Sequence, residues 1–226
     1  MPVSALVFDV LGTVVDEDAS VHAAAVELVT SAGLAADAAD ALAEDWAGRL
    51  TRATHAVSAG DEPWRSGDDL RRAALADALA AHPEIAAPAI AIARAADVGH
   101  RLDPWPDAAA GLARLAARYP VIALTNGGAR QSAAMSEHAG LGWTHLLTGD
   151  DARQFKPHPA MYRLPLERLG LDPAQTLFVA AHPWDLDGAA EHGYRTALVL
   201  RPGVSAPAGA YDLQVADFGE LADRLT

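Results

Sequence analysis

The chain of 226 residues contains no cysteine. This absence excludes a thiol nucleophile, thiolate metal ligands and a disulfide framework. Basic residues are also scarce, because 17 Lys and Arg face 30 Asp and Glu, for a formal net charge of -13 at pH 7. The sequence has no stripe of basic residues that could neutralise the phosphate groups of a nucleic acid, so it predicts no nucleic-acid partner. A small anionic substrate would need a local positive site.

Long apolar runs are missing as well. No uncharged stretch approaches the roughly 20 residues that a membrane-spanning helix needs, and the N-terminus enters an apolar strand with no basic leader. The sequence therefore predicts no membrane partner, and we expect a cytoplasmic protein. A chain of this length fits one large domain, or a core that carries a smaller one.

Short β-rich runs alternate with helical patterns, which is typical of a parallel sheet. The runs are SALVF (4–8), VIALT (121–125), THLLT (144–148), TLFVA (176–180), TALVL (196–200) and a weaker DLQVA (212–216). The helical patterns between and after them cover 107–119, 129–140, 159–170, 184–193 and 218–225. We therefore predict an α/β fold, a Rossmann-like doubly wound parallel sheet.

Residues 18–97 interrupt this alternation. They contain no convincing strand, and helical periodicity is evident in VHAAAVELVTSAG, DALAEDWAGRLTRATHAVSAG and DDLRRAALADALAAH. A separate N-terminal helical domain would leave the first strand outside its sheet, so an all-helical insertion is the simpler interpretation. The predicted domains are a core of residues 1–17 and 98–226 and a helical cap of residues 18–97.

Polar side chains follow four of the predicted strands. Ligands bind beyond the C-terminal ends of the strands in open α/β sheets, so these residues form a candidate site. They are Asp9, Thr13, Thr125, Asn126, Lys156, His182, Trp184 and Asp185. Each has a structural alternative, since such residues also cap helices, form turns or pack in loops. Their occurrence at successive strand ends, with a cation available to keep Asp9 ionised, favours the functional interpretation.

The segments FDVLGT, LTNGG, FKPHPAMY and FVAAHPWDLDGA resemble the four signature motifs of the haloacid dehalogenase superfamily. Most members are magnesium-dependent phosphatases with a second Asp two residues after the nucleophile, where this chain has Leu11. A further metal-binding Asp would stand at Ala181, four residues before Asp185. Leucine cannot act as an acid, and the hard oxygen site for Mg²⁺ has lost a carboxylate. In both departures the chain resembles the metal-independent 2-haloacid dehalogenases, and this resemblance implies no metal and no cofactor.

This resemblance implies a reaction at carbon. Asp9 would displace halide from C2 of a short 2-haloalkanoate, and water would hydrolyse the resulting aspartyl ester. Lys156 would keep Asp9 ionised, and Asp185 would orient Lys156 and the water, alone or through Thr13. The residues expected to bind the substrate or support the site are Leu11, Thr125, Asn126, Tyr162, His182 and Trp184.

The resemblance is incomplete in the cap. The dehalogenases supply an arginine for the leaving halide directly after an early cap tryptophan, and here the corresponding pair is Trp46-Ala47. Arg49 and Arg52 lie two and five residues beyond Ala47, so neither matches the motif. Two alternatives stay open: a phosphatase with an atypical metal site, and a catalytically quiet binding member of the superfamily. A homodimer is a further expectation, since family members are often dimers.

Overall fold

The computed structural model describes residues 3–205, 207 and 209–225, and its strands form a single six-stranded sheet. All neighbouring strands are parallel, in the order β3-β2-β1-β4-β5-β6. The strands are β1 (Ala5–Phe8), β2 (Val121–Thr125), β3 (His145–Thr148), β4 (Thr176–Ala180), β5 (Arg195–Val199) and β6 (Leu213–Val215). The predicted doubly wound parallel sheet is therefore confirmed.

The helices of the described residues are α1 (Glu17–Ser31), α2 (Ala39–Ala59), α3 (Gly67–Ala81), α4 (Ala89–Ala96), α5 (Ala108–Ala116), α6 (Ala129–His138), α7 (Gly149–Ala152), α8 (Pro159–Leu169), α9 (Pro183–Glu191) and α10 (Phe218–Arg224). The sequence did not predict α4 and α7, because one or two turns are too short for a helical period to stand out. No described helix is both long and apolar enough to cross a bilayer.

Strand β1 lies at the centre of the sheet, with β2 on one side and β4 on the other. Its side chains alternate between two apolar layers because successive residues of a strand face opposite ways. Leu6 and Phe8 belong to one layer, where the Phe8 and Phe218 rings lie 5.3 Å apart, and Val7 belongs to the other. The chain connections reverse direction at β1 and β4, so a crevice forms beyond their C-terminal ends.

Helices α1 to α4 lie in the chain between β1 and β2 and pack on one another. Asp16 caps α1 by accepting a hydrogen bond from Ala19 N, and Ser66 caps α3 in the same way from Asp69 N. The interior of this helical layer includes buried Leu42, Trp46 and Leu75. The region is helical as predicted, with α1 beginning at Glu17, and its division from the core at residues 17/18 and 97/98 stays a prediction.

Candidate active site

Asp9 follows β1 directly and is only 4% exposed. Its backbone N–H donates to Val179 O at 3.0 Å, which continues the pairing with β4. The chain then turns at Gly12, whose φ of 75° is in the region that favours glycine. This turn brings Thr13 back so that its Oγ1 donates to Asp9 Oδ2 at 2.6 Å, while Ala181 N donates to the same hydroxyl oxygen at 2.9 Å.

Lys156 lies between two buried carboxylates. Its Nζ is 2.6 Å from Asp9 Oδ1 and 2.5 Å from Asp185 Oδ2. The other oxygen of Asp185 accepts from the Tyr162 hydroxyl at 2.8 Å. Asp9 follows β1, Asp185 lies in the first turn of α9, and Lys156 and Tyr162 lie before and within α8. The fold thus brings three distant parts of the chain into one network.

The charges of this network shift the pKa values of its members. Burial alone would raise the pKa of Asp9, but Lys156 and His182 oppose it and hold that pKa well below the ordinary value. Burial raises the pKa of Asp185 to about 6, with Asp9 adding to the shift and Lys156 opposing it. The two carboxylates nevertheless raise the pKa of Lys156 against the effect of burial. At neutral pH the site therefore holds an ionised Asp9 beside a charged Lys156.

Two predicted substrate contacts have other partners in the structure. The Asn126 amide is bonded to the backbone of Lys156, accepting from its N–H at 2.6 Å and donating to its carbonyl at 3.3 Å. The Thr125 hydroxyl accepts from Gly127 N at 3.1 Å, and Thr125 is fully buried and does not line the cavity described below. Asn126 thus positions Lys156, and Thr125 stabilises the turn after β2.

His182 lies between β4 and α9, at the N-cap of the helix, and Trp184 is the second residue of α9. His182 Nδ1 is 3.0 Å from Asp9 Oδ2, and this carboxylate raises the pKa of His182 although burial lowers it. The His182 and Trp184 rings lie 5.6 Å apart, and Trp184 is 46% exposed. Tyr162 and Asp185 are fully buried and do not line the cavity, so they act on it through Lys156.

A cavity of about 510 Å³ opens above Asp9, between the strand ends and the helical layer. The core contributes Asp9, Leu11, Asn126, Gly127, Gln131, Lys156, Pro157, His182 and Trp184. The helical layer contributes Glu17, Leu50, Thr51, Thr54, His55, Gly67 and Arg71. Arg49 and Arg52 do not line it; Arg49 is paired with Asp45 at 2.9 Å on α2. Ala47 lines a neighbouring cavity of about 370 Å³.

Arg71 is one of the cavity residues that sequence reasoning missed. It is 4% exposed on α3, its Nη2 is 2.5 Å from Glu17 Oε1, and its Nε has no partner among the described residues. Its position carried a usable signal, because Arg71 shares a helical stripe with Ala74, Leu75 and Ala78, all of them buried. A charged residue on an apolar stripe needs a specific partner, whereas Arg72 lies off that stripe and pairs with Asp97 at 2.7 Å.

The described part of the chain contains no group of three or more His, Asp or Glu residues placed to hold a metal ion. The polar end of the sheet is instead an ion network of Asp9, Lys156 and Asp185. This arrangement can supply a desolvated carboxylate nucleophile with a cation beside it.

Residues 3–193 match the family model for haloacid dehalogenase-like hydrolases. The chain belongs to this family. Its relatives include an (S)-2-haloacid dehalogenase of Xanthobacter autotrophicus, 40% identical over 112 residues, or 49% of this chain and 44% of that protein. The chain thus spans less than half the length of this curated relative.

Solved structures extend the similarity to the whole chain. A defluorinating L-2-haloacid dehalogenase has a TM-score of 0.90 and 31% identity, covering 99% of this chain and 95% of that one. The L-2-haloacid dehalogenase of Xanthobacter autotrophicus with chloropropionic acid covalently bound has a TM-score of 0.80 and 28% identity, covering 98% and 97%. Both the strand-end site and the helical layer lie within these matches.

Proposed function

We propose that this protein hydrolyses the carbon–halogen bond of short 2-haloalkanoic acids through an ester on Asp9. The observation that carries the proposal is the state of Asp9, a buried carboxylate kept ionised by Lys156 at 2.6 Å and facing a cavity of about 510 Å³. Relatives named as 2-haloacid dehalogenases support the substrate class. A related structure holding covalently bound chloropropionic acid supports the ester route.

In the first step, an oxygen of Asp9 attacks C2 of the substrate, and the halide leaves with the electron pair of the broken bond. A carboxylate removed from water and aligned by fixed donors is a usable nucleophile for this displacement. Lys156 and Thr13 hold Asp9 in one orientation, and Leu11 adds apolar surface beside it. Leu11 carries no proton to donate, which suits halide as a leaving group.

In the second step, water attacks the carboxyl carbon of Asp9 and releases the 2-hydroxy acid. Asp185 is bonded to Lys156 and Tyr162 and lies outside the cavity, so we assign it to positioning Lys156. Lys156 remains close enough to stabilise charge on the ester oxygens.

The anionic end of the substrate needs a cation on the cavity wall, and Arg71 is placed to provide it. Buried N–H groups without partners are rare in folded proteins, and two occur together here, Arg71 Nε and Gln131 Nε2. A methyl group built on Gly99 would lie 3.1 Å from the first and 2.7 Å from the second, so the two groups pack side by side against Gly99. Arg71 and Gln131 both line the cavity, and we assign them to the substrate carboxylate or the departing halide.

Halide release tests the proposal. The purified protein is incubated with fluoro-, chloro- and bromoacetate and with each enantiomer of 2-chloropropionate, and free halide is measured. Asp9→Asn is the matched control, because it keeps the shape of the side chain and removes its charge. We expect release from at least one acid by the parent protein and none above background by the variant.

A phosphate ester assayed with and without Mg²⁺ completes the experiment. Metal-stimulated phosphate release without halide release would instead identify the phosphatase alternative. Absence of both activities in folded protein would favour the catalytically quiet binding member. A homodimer and a cytoplasmic location stay predictions.

A further inference from the structure

The two oxygens of Asp9 have different partners. Oδ2 accepts two hydrogen bonds, from the Thr13 hydroxyl at 2.6 Å and from His182 Nδ1 at 3.0 Å. Oδ1 accepts one, from Lys156 Nζ at 2.6 Å, and no other donor among the described residues reaches it. A carboxylate oxygen offers about two lone-pair sites. Oδ2 is therefore saturated, and Oδ1 keeps one open lone pair.

Neighbouring groups determine which atom donates in the two hydrogen bonds to Asp9 Oδ2. Ala181 N donates to Thr13 Oγ1, so the hydroxyl proton is free to point at Asp9. An ionised carboxylate only accepts, so the Nδ1 of His182 that faces it carries a proton in either charge state of the ring. Both groups are thus donors, and both converge on the same oxygen.

The His182 ring can occupy this position because Gly12, against which it packs, has no side chain. A Cβ on Gly12 would lie 2.8 Å from Cε1 and 2.9 Å from Nε2 of His182. Gly12 also has a φ of 75°, so its backbone and the ring together exclude other residues there. The backbone of this turn is fixed from behind, where Trp105 Nε1 donates to Gly12 O at 3.1 Å.

Given the ester route proposed above, we propose that Oδ1 of Asp9 is the attacking oxygen. Oδ2 then becomes the ester carbonyl oxygen, and Thr13 and His182 form the oxyanion site that stabilises it during hydrolysis. His182 is by this assignment a catalytic residue for the second step. Donors already aimed at the oxygen that gains charge lower the barrier most, because they need no reorganisation.

The hydrolytic step balances as follows. The water oxygen bonds to Cγ of Asp9, and the carbonyl electron pair moves onto Oδ2 between Thr13 and His182. The pair then returns, the bond from Cγ to Oδ1 breaks, and the alkoxide leaves with Oδ1 and takes one proton of the water. The other proton passes to solvent. The water oxygen has replaced Oδ1, and Oδ2 has stayed in place.

This replacement can be measured by isotope labelling. Many turnovers in heavy-oxygen water, followed by mass spectrometry of the peptide containing Asp9, should show a single heavy oxygen in that carboxylate. Two heavy oxygens would overturn the assignment of Oδ1, because they require either oxygen to attack. No heavy oxygen despite turnover would instead overturn the ester route, so the two failures are distinguishable. Protein incubated without substrate is the control.

Substitution of His182 tests the oxyanion role. His182→Asn keeps an N–H donor near the place of Nδ1, and His182→Ala removes it. In rapid-quench experiments we expect the first halide burst to survive in both variants. Ester hydrolysis should slow by about 100-fold in His182→Ala and by less than about 10-fold in His182→Asn, so alkylated Asp9 accumulates in the alanine variant. Equal slowing of both steps, or equal losses in both variants, would refute this role.

Discussion

The two buried cations on the cavity walls, Lys156 of the core and Arg71 of the cap, differ in how completely they are paired. On the core wall, Lys156 is bonded to Asp9 at 2.6 Å and to Asp185 at 2.5 Å, and Tyr162 completes the coordination of Asp185. On the opposite wall, Arg71 is held by Glu17 at 2.5 Å but keeps an unpaired Nε. The ion network on the core wall is closed without a ligand, whereas Arg71 on the cap wall and Gln131 on the core wall each keep an unpaired donor.

This difference indicates that the two walls have different roles in the reaction. A closed, buried ion network holds its groups in fixed positions, which suits a nucleophile that must not reorganise during reaction. An unpaired buried N–H costs free energy until an acceptor arrives, which suits recognition of an anion. Leu50, Thr51 and Thr54 of α2 also line the cap wall. We therefore expect core substitutions to affect the chemical steps and cap substitutions to affect affinity.

The largest effect should come from Lys156→Met, which removes the cation between two buried carboxylates. We expect kcat to fall by roughly 10⁴-fold, because Asp9 loses the charge that keeps it ionised. The free energy of unfolding at pH 7 should fall by about 3–5 kcal/mol, since breaking a buried ion pair leaves uncompensated charge. In the variant, repulsion between Asp9 and Asp185 raises the pKa of one of these carboxylates above its value in the unfolded chain. Protonation of that carboxylate removes the repulsion, so the lost stability should return as pH falls through the raised pKa.

Thermal unfolding from pH 7 down to pH 5 measures this recovery. The matched variant is Lys156→Met combined with Asp185→Asn, which removes the repulsion and should restore stability without restoring activity. A Lys156→Met protein whose stability relative to the parent is independent of pH would contradict the account of the core wall.

A smaller effect is expected for Arg71→Gln on the cap wall. Loss of the guanidinium should lower kcat/KM by about 100-fold, mostly through KM, because a charge-assisted bond to the substrate is lost. The amplitude of the single-turnover halide burst at saturating substrate should stay near that of the parent. Arg49→Gln is the control, since Arg49 pairs with Asp45 outside the cavity and should leave KM unchanged. Equal KM values in both variants would remove Arg71 from recognition.

The smallest effect is a shift of the pH profile in Tyr162→Phe. Activity should fall as pH decreases through about 6, because Asp185 then takes a proton and releases Lys156. The Tyr162 hydroxyl favours the ionised form of Asp185, so its removal should raise that pKa and move the acid limb to higher pH. Tyr194→Phe is the control, as Tyr194 bonds to Tyr162 O at 2.7 Å and does not contact Asp185. If the acid limb of Tyr162→Phe lies at the same pH as that of the parent, this assignment is wrong.

The positions of most site residues could be predicted from the sequence, because each polar segment follows a strand that its own composition defines. The C-terminal ends of parallel strands meet at one edge, so Asp9, Lys156 and His182 had to approach one another. Their partners were harder to predict. Asn126 was expected at the substrate; it lines the cavity, and its amide also holds the backbone of Lys156, a partner that the sequence did not predict because a single residue's rotation decides which neighbour an amide faces.

The sequence by itself determined the parallel sheet, the helical insertion and the order of the motifs, because these follow from local periodicity and composition. Tertiary structure alone decided which cap cation reaches the cavity. Arg49 and Arg52 lie on α2 and Arg71 lies on α3, and the packing of these helices brings Arg71, but neither of the other two, to the cavity wall. It also decided that the oxygens of Asp9 are unequal, because their donors come from segments far apart in the chain.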